Sequence, residues 1–294
     1  MTRFEDGSAG DANYGAIGEG YARIRQPDPR IAARFHAALG NARTVLNVGA
    51  GAGSYEPTDR EVTAVEPSAS MRAQRPPHLS RAVDATADDL PFADGTFDAA
   101  MASVTVHQWP DLERGLGEMR RVTTGPIAIL TFDPFPPVRW WLDDYAPEVL
   151  EIESRRMPDL ARIGAALSAG GEFDTEIQVV LIPLDSTDGF GQAFYGRPER
   201  LLEPAVRRAM SAWSFVPDDA VARFERDLAR DLESGTWDEK YGSFRSLPEF
   251  DGGLRLVVSK PAAPAASAEP DDNATESATG SELHPQPHPE TGTT

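Results

Sequence analysis

The chain has 294 residues, with 28 Lys and Arg against 47 Asp and Glu, a formal net charge of −19, and no Cys. The missing cysteine rules out a disulfide framework, a thiolate zinc site, an iron–sulfur cluster and a cysteine nucleophile. The acidic balance points away from nucleic acid, whose binding draws on clustered Lys and Arg, and leaves a small molecule as the favoured partner. A composition 40% hydrophobic and 26% charged is that of an ordinary globular domain.

The first residues, MTRFEDGSAGDANYG, are polar and acidic, without the apolar run of a secretion signal. The longest apolar runs, such as 127–130 and 179–182, are too short to cross a bilayer. These observations predict a cytoplasmic protein without a membrane partner. Residues 28–39 read as a helix: Asp28 suits the N-cap, Pro29 the first turn, Ile31, Phe35 and Leu39 recur every fourth position, and Gly40 stops it. His36 on that helix reads as a packing residue. Strands are predicted at 44–48, 62–65, 81–83, 97–102 and 127–132, with a helix at 111–121, an alternation that implies a parallel sheet with helices on both faces.

Beyond Asp133 the texture changes. Residues 137–170 read as helical with breaks at Pro147 and Pro158, 175–182 as a strand, 198–212 and 218–232 as helices, and 253–259 as a closing strand forming an edge hairpin with 175–182. Aromatic residues Trp140, Trp141, Tyr145, Phe190, Phe194 and Tyr195 could wall an acceptor pocket or pack a helical cap. Arg197 could bind an acidic acceptor or sit on the surface. From 261 to 294 large apolar side chains nearly vanish, and an acidic tail without Lys or Arg is predicted to be disordered. His284 and His288 in that tail read as solvated. The expected organisation is thus an N-terminal flap over 1–27, one domain over 28–260 with helical cap segments near 134–170 and 186–247, and the tail.

The sharpest motif is the strand TVLNV running into Gly49-Ala50-Gly51-Ala52-Gly53. Glycine is needed where backbone turns sharply and approaches a ligand without an intervening Cβ. A dinucleotide site usually spaces its third glycine three residues after the second, at a helix start that receives the pyrophosphate. Here the spacing is two, and Pro57 soon limits any helix. Glu66 ends the next strand, nineteen positions beyond Asn47, where an acid in a doubly wound sheet can accept both hydroxyls of an adenosine ribose.

The ordered segments NVGAGAGSYEP, AVEPSASM, ATADDLPF, FDAAMASVTVHQW and RRV resemble the class I S-adenosylmethionine-dependent methyltransferases, specifically the type 11 family, over about residues 14–133. The resemblance implies a doubly wound, seven-stranded, mostly parallel Rossmann-like α/β sheet with an antiparallel last strand and helical lid insertions. It also implies S-adenosylmethionine as cofactor. Carried onto this sequence, Gly49, Gly51 and Gly53 would pass beneath the methionine and ribose, Glu66 would hold the ribose hydroxyls, and Ala87 would meet the adenine edge through its amide. Ala102 and Ser103 would offer carbonyls to the amino group, and Tyr14, Tyr21 and Arg25 would belong to a flap near the carboxylate. Two departures stand out. Asn47 occupies a position where the family carries Asp or Glu, and Thr86 aligns with the Asp that contacts adenine, leaving Asp84 or Asp88 as substitutes.

The sulfonium of such a cofactor already makes its methyl group electrophilic, so the protein has to place a nucleophile in line and exclude water, with no metal required. His107, just past the predicted fourth strand, is the candidate base for an O, N or C acceptor. Two competing readings are an NAD-dependent oxidoreductase, which the glycine spacing disfavours, and a non-catalytic cofactor-binding protein. The sequence names neither the acceptor nor the oligomeric state.

Overall fold

The computed structural model describes residues 4–8, 11, 21–136 and 138–262. Its strands are β1 (Thr44–Val48), β2 (Glu61–Val65), β3 (Ala99–Ser103), β4 (Ile127–Phe132), β5 (Phe173–Val179), β6 (Ile182–Pro183), β7 (Glu249–Phe250) and β8 (Leu254–Pro261). Helices α1 (Tyr21–Ile24), α2 (Pro29–Ala38), α3 (Ala69–Ala73) and α4 (Leu112–Val122) accompany the first four strands. Helices α5 (Leu142–Tyr145), α6 (Pro147–Arg156), α7 (Leu160–Leu167), α8 (Pro204–Arg208), α9 (Asp218–Ser234) and α10 (Thr236–Tyr241) follow. Six strands form one sheet in the order β2-β1-β3-β4-β8-β5, parallel through β4 and antiparallel where β8 lies between β4 and β5. The strand order reverses between β1 and β3, so the chain leaves both at the crevice where open α/β sheets bind ligands.

The expected seventh strand shrinks to one parallel bridge between Val65 and Val83. Val83 donates to Ala64 O at 2.8 Å and accepts from Glu66 N at 3.0 Å, after which the chain turns into the wall of the crevice. Of Arg81, Ala82 and Val83 only the last is a strong strand former, and only it pairs. The predicted strand at 97–102 starts later, because Phe97 makes an isolated bridge to Thr123 instead. The edge hairpin forms, but β5 stops at Val179 and Ile182–Pro183 pairs with β7 inside the cap. The predicted helix at 198–212 is broken into two 3-10 turns, Pro198–Leu202 and Ser211–Phe215, flanking the short α8, as prolines at 198 and 204 remove backbone donors. β8 extends through Pro261, and the expected tail lies outside the described residues from position 263.

Local chemistry explains the elements that hold the site. The Asp28 side chain accepts from Arg30 N and starts α2, with Pro29 in the first turn. The Asp111 side chain accepts from Arg114 N and starts α4, whose Leu112, Leu116, Met119 and Val122 are buried at helical spacing. Successive strand residues serve opposite faces of the sheet. Val45, Met101, Leu130 and Val258 join the core beneath α2 and the cap, whereas Leu46, Ala100, Ile129 and Val257 join the core beneath α4 and α7. Near-continuous burial of β1, β3 and β4 follows from covering both faces.

The cap is an aromatic core in its own right. Trp141 is fully buried, edge-on to Trp140 and Trp237, and its Nε1 donates to Tyr195 O at 2.9 Å. Tyr195 in turn lies 4.9 Å from Phe250 between ring centroids. These residues are packing, while Phe190 and Trp140 reach the lining of cavities. Arg197 donates to Ser186 O and Ala193 O, so it braces the cap backbone. No helix among the described residues is long and apolar enough to cross a membrane.

Candidate functional site

The glycine segment after β1 is stitched to the end of β2. Gly49 N and Ala50 N both donate to Val65 O at 2.9 Å, and Gly51 N donates to Glu66 Oε2 at 2.8 Å. Gly49 (φ 69°) and Gly51 (φ 52°) adopt left-handed backbone, which L side chains enter only at a cost. A Cβ on Gly49 would lie 2.3 Å from Thr105 Oγ1, so this glycine also lets the β1 loop touch the β3 loop.

Glu66 is buried at 7% exposure and takes Gly51 N on one oxygen and Ser68 N, also at 2.8 Å, on the other. Burial raises its carboxyl above the usual range, opposed by the two backbone donors and the charges of Arg72 and Arg75. Each carboxylate oxygen keeps acceptor capacity for one further donor, which matches the two adjacent hydroxyls of a ribose.

The crevice is open to solvent and spans about 800 Å³ counted with its mouth. Of the expected site residues, Gly49, Gly51, Glu66, Thr86, Ala87, Ser103 and Tyr21 line it. Val104, next in line, has φ 49° despite its β-branch, a strained geometry held by its N–H donating to Leu130 O at 2.7 Å. Strain of this kind between two cavities marks a place where backbone direction matters.

Other expected site residues lie elsewhere. Asn47 is wholly buried beneath the loop, where Nδ2 donates to Glu56 Oε1 at 3.0 Å. Arg75 closes on the same Glu56 with both guanidinium nitrogens, at 2.9 Å each. Gly53 does not line the chamber, and its left-handed backbone (φ 97°) is what calls for glycine there. Ala102 is fully buried inside β3. Thr86 lines the chamber, while Asp84 pairs with Arg72 on the surface and does not line it, nor does Asp88. Tyr14 lies outside the described residues.

Arg25 and His107 line a second chamber, of about 490 Å³, which shares Tyr21 and Val104 as walls with the first. Arg25 Nε donates to Asp188 Oδ1 at 2.6 Å, and Tyr55 OH donates to Asp188 Oδ2 at 3.0 Å. Burial works against the Arg25 charge, but Asp188 holds its pKa above the ordinary value. His107 is driven the other way: burial and then Arg156 lower its pKa to about 3, with Asp11 opposing. Its imidazole is neutral at physiological pH, and Nδ1 has no hydrogen-bond partner among the described residues. His36 bonds Tyr55 O at 2.8 Å, the structural role expected of it.

Several lining residues escape sequence inspection. Ser8 and Ser68 line the first chamber, and Asp6 ties them together by accepting from both hydroxyls. Ser68 carries a legible signal, an N-cap position before α3; Asp6 and Ser8 carry none. Glu153, Arg156 and Gln192 of the cap line the second chamber. Glu153 and Arg156 share a helix face at i, i+3, but nothing in that spacing says which side faces a cavity.

With this geometry in place, the chain can be set beside known proteins. A family model described as a methyltransferase domain matches residues 46–125. Two curated relatives from Mycobacterium sp., strains KMS and JLS, both described as uncharacterized methyltransferases, are 33% and 32% identical over 136 residues, covering 37% of this chain and 53% of each relative. The chain therefore spans about half the length of these relatives. A crystal structure from Anabaena variabilis, of a candidate methyltransferase from an antibiotic biosynthesis pathway, is 31% identical, covers 80% of this chain and 98% of its own, and superposes with a TM-score of 0.75. The chain belongs to the class I methyltransferases, type 11 family.

The family match ends near β4, so the relatives speak chiefly to the first chamber. The Anabaena structure extends the likeness across the cap.

Proposed function

We propose that this methyltransferase binds S-adenosylmethionine in the first chamber and methylates a small-molecule acceptor in the second. The observation that carries the reading is the shared wall: Tyr21 and Val104 separate a chamber lined by the glycine loop and Glu66 from one lined by His107 and the cap. Glu66, with an acceptor site left on each oxygen, would hold the ribose hydroxyls, and Gly49 and Gly51 admit the ligand close to the backbone. Ser103 and the Ala87 amide would meet the amino group and adenine edge. When bound, the cofactor supplies an electrophilic methyl carbon attached to a positively charged sulfur.

The chain's own residues then have three tasks. The glycine loop and Glu66 fix one reactant, the cap closes over the other and keeps water out, and the strained Val104 sets the backbone where they meet. A neutral His107 offers the acceptor a hydrogen bond; a pKa near 3 makes it a weak proton acceptor. We assign the protein no nucleic-acid partner, on its acidic charge.

Calorimetric titration with S-adenosylmethionine and S-adenosylhomocysteine tests the first chamber, with NADH as comparison. Micromolar binding of the sulfur nucleosides and none of NADH is expected. Labelled cofactor incubated with a metabolite extract should then yield a labelled small molecule. Silence of the protein toward both sulfur nucleosides refutes the reading.

A further inference from the structure

Among the described residues lining the second chamber Glu153 is the one acid. Of the chamber's ionisable lining residues, Arg25 is committed to Asp188. Arg156 donates to both oxygens of Asp11, at 2.6 and 2.8 Å, and to Ser211 Oγ at 2.9 Å. Glu153, on α6, takes only a neutral donor, Gln192 Nε2, at 3.1 Å, and forms no ion pair among the described residues. It also lines a third cavity, of about 1200 Å³, which shares Phe132, Met157 and Gln192 with the second chamber and opens beside the exposed Phe135. Glu153 therefore stands where an outer vestibule meets the inner chamber.

The remaining walls describe the guest. Phe132 and Phe190 lie edge to face at 5.3 Å, with Met157 and Met210 in the same lining, surfaces that suit a flat aromatic body. Arg25 and Arg156 are each paired with a carboxylate, Asp188 and Asp11, so once Glu153 is ionised the charged groups around this chamber sum to a net negative charge. Such a charge keeps a bound amine protonated and without a lone pair for attack, whereas a hydroxyl can pass its proton to a carboxylate and attack through oxygen.

We propose that the acceptor is a hydroxylated aromatic compound and that Glu153 is the catalytic residue that removes its hydroxyl proton. This deepens the methyl-transfer reading above and rests on it. As the hydroxyl oxygen bonds to the methyl carbon, the carbon–sulfur bond breaks with its electron pair passing to sulfur, which becomes a neutral thioether. The O–H electron pair stays on the oxygen and the proton passes to a Glu153 carboxylate oxygen, giving an aryl methyl ether. Burial supports this role by raising the Glu153 carboxyl to about 7, against the lowering effects of Gln192, Arg156 and Arg25, which places a base near working pH. His107 and Tyr21 are the other titratable groups lining the chamber.

The test compares wild type, Glu153→Gln and Glu153→Asp on 4-methylphenol, 4-nitrophenol and benzylamine, with labelled S-adenosylmethionine. Expected are methyl ethers from both phenols and no product from benzylamine. E153Q should slow 4-methylphenol by about 10²–10⁴-fold, the usual contribution of a positioned base. It should slow 4-nitrophenol, already ionised at pH 8, by less than about tenfold, and E153D should regain part of the 4-methylphenol rate. Two readouts stand apart from turnover. Calorimetric affinity for S-adenosylhomocysteine should match among all three proteins, which also reports folding. With S-adenosylhomocysteine in place, the absorbance of bound 4-nitrophenol should show the phenolate at lower pH in E153Q than in wild type, since a negative Glu153 above pH 7 opposes a second negative charge beside it. Loss of nucleoside binding in wild type would overturn the cofactor reading itself. Normal nucleoside binding with benzylamine methylated, with no phenol bound or methylated, or with E153Q slowing both phenols equally would overturn this inference alone.

Discussion

Replacing Gly49 with Ala probes the site through its backbone. Three glycines provide a graded series. Gly40 (φ 58°) has nothing within 4 Å of a built Cβ, so Gly40→Ala measures the left-handed backbone cost alone, about 1–2 kcal/mol. Gly51 (φ 52°) would place Cβ 3.3 Å from Met71 Cε, the free end of a flexible side chain, and Gly51→Ala should cost little more. Gly49 (φ 69°) would bring Cβ within 2.3 Å of Thr105 Oγ1 and 2.8 Å of Cγ2. Neither atom can retreat freely, because Thr105 follows the strained Val104, so Gly49→Ala adds about 1–3 kcal/mol of overpacking to the backbone cost. Its total is about 2–5 kcal/mol, read by urea unfolding. Thr105→Ala removes both offending atoms, and the double variant should recover most of the overpacking part in a double-mutant cycle. Calorimetry should show G49A losing S-adenosylhomocysteine affinity while G40A retains it. A G49A protein no less stable than G40A, or a cycle with no coupling to Thr105, would refute the close approach of the two loops.

Three further changes test other parts. Glu66→Gln replaces one of two acceptors facing Gly51 N and Ser68 N with an NH₂ group, leaving a backbone donor unpaired; a stability loss of about 1–3 kcal/mol and at least tenfold weaker nucleoside binding are expected, by unfolding and calorimetry. Glu153→Gln should stabilise the fold at alkaline pH. Burial raises the wild-type carboxyl from 4.5 to about 7, so the stability owed to its protonated form is whole below pH 4.5 and lost as pH rises through 7. The variant escapes that loss, with a ceiling of about 3 kcal/mol and, after solvent screening of a half-buried group, about 1–2 kcal/mol; identical pH–Tm curves would contradict the shift. Trp141→Ala removes a fully buried ring and orphans Tyr195 O, and should cost about 3–5 kcal/mol by chemical denaturation; a cost under about 1 kcal/mol would mean the cap is not integral to the core.

What the sequence makes legible is whatever a local pattern encodes. β1 and β4 fall on their predicted residues, and α2 and α4 start at Asp28 and Asp111, because caps and apolar periods are short-range signals. The glycine loop and Glu66 are visible for the same reason, as each is a residue type demanded by backbone conformation or by the end of a strand. The second chamber is legible only in part: Tyr21, Arg25 and Phe190, named from the sequence, line it. His107 was found because it follows β3, but Glu153, Gln192 and Arg156 come from the cap, where facing a cavity depends on how α6 packs against distant elements and not on its own spacing.

Asn47 shows how far a single departure from a motif can mislead. Taken alone, it substitutes a neutral amide for an acid beneath the glycine loop. In the fold, an acid is still present there: Glu56, nine residues on, accepts from Asn47 Nδ2 and pairs with Arg75, and both charged side chains are almost wholly buried. Arg75 Nη1 also reaches Gly51 O at 3.4 Å, so the buried pair is connected to the loop that forms the first chamber. Breaking one partner of such a pair would strand a charge in the core. The carboxylate beneath the loop thus comes from Glu56 and carries its own counterion, so that the loop rests on a neutral network, and the acid lining the first chamber is Glu66. Only the three-dimensional arrangement shows that a carboxylate lies beneath the glycine loop in spite of Asn47, paired with Arg75 and set apart from the crevice lining.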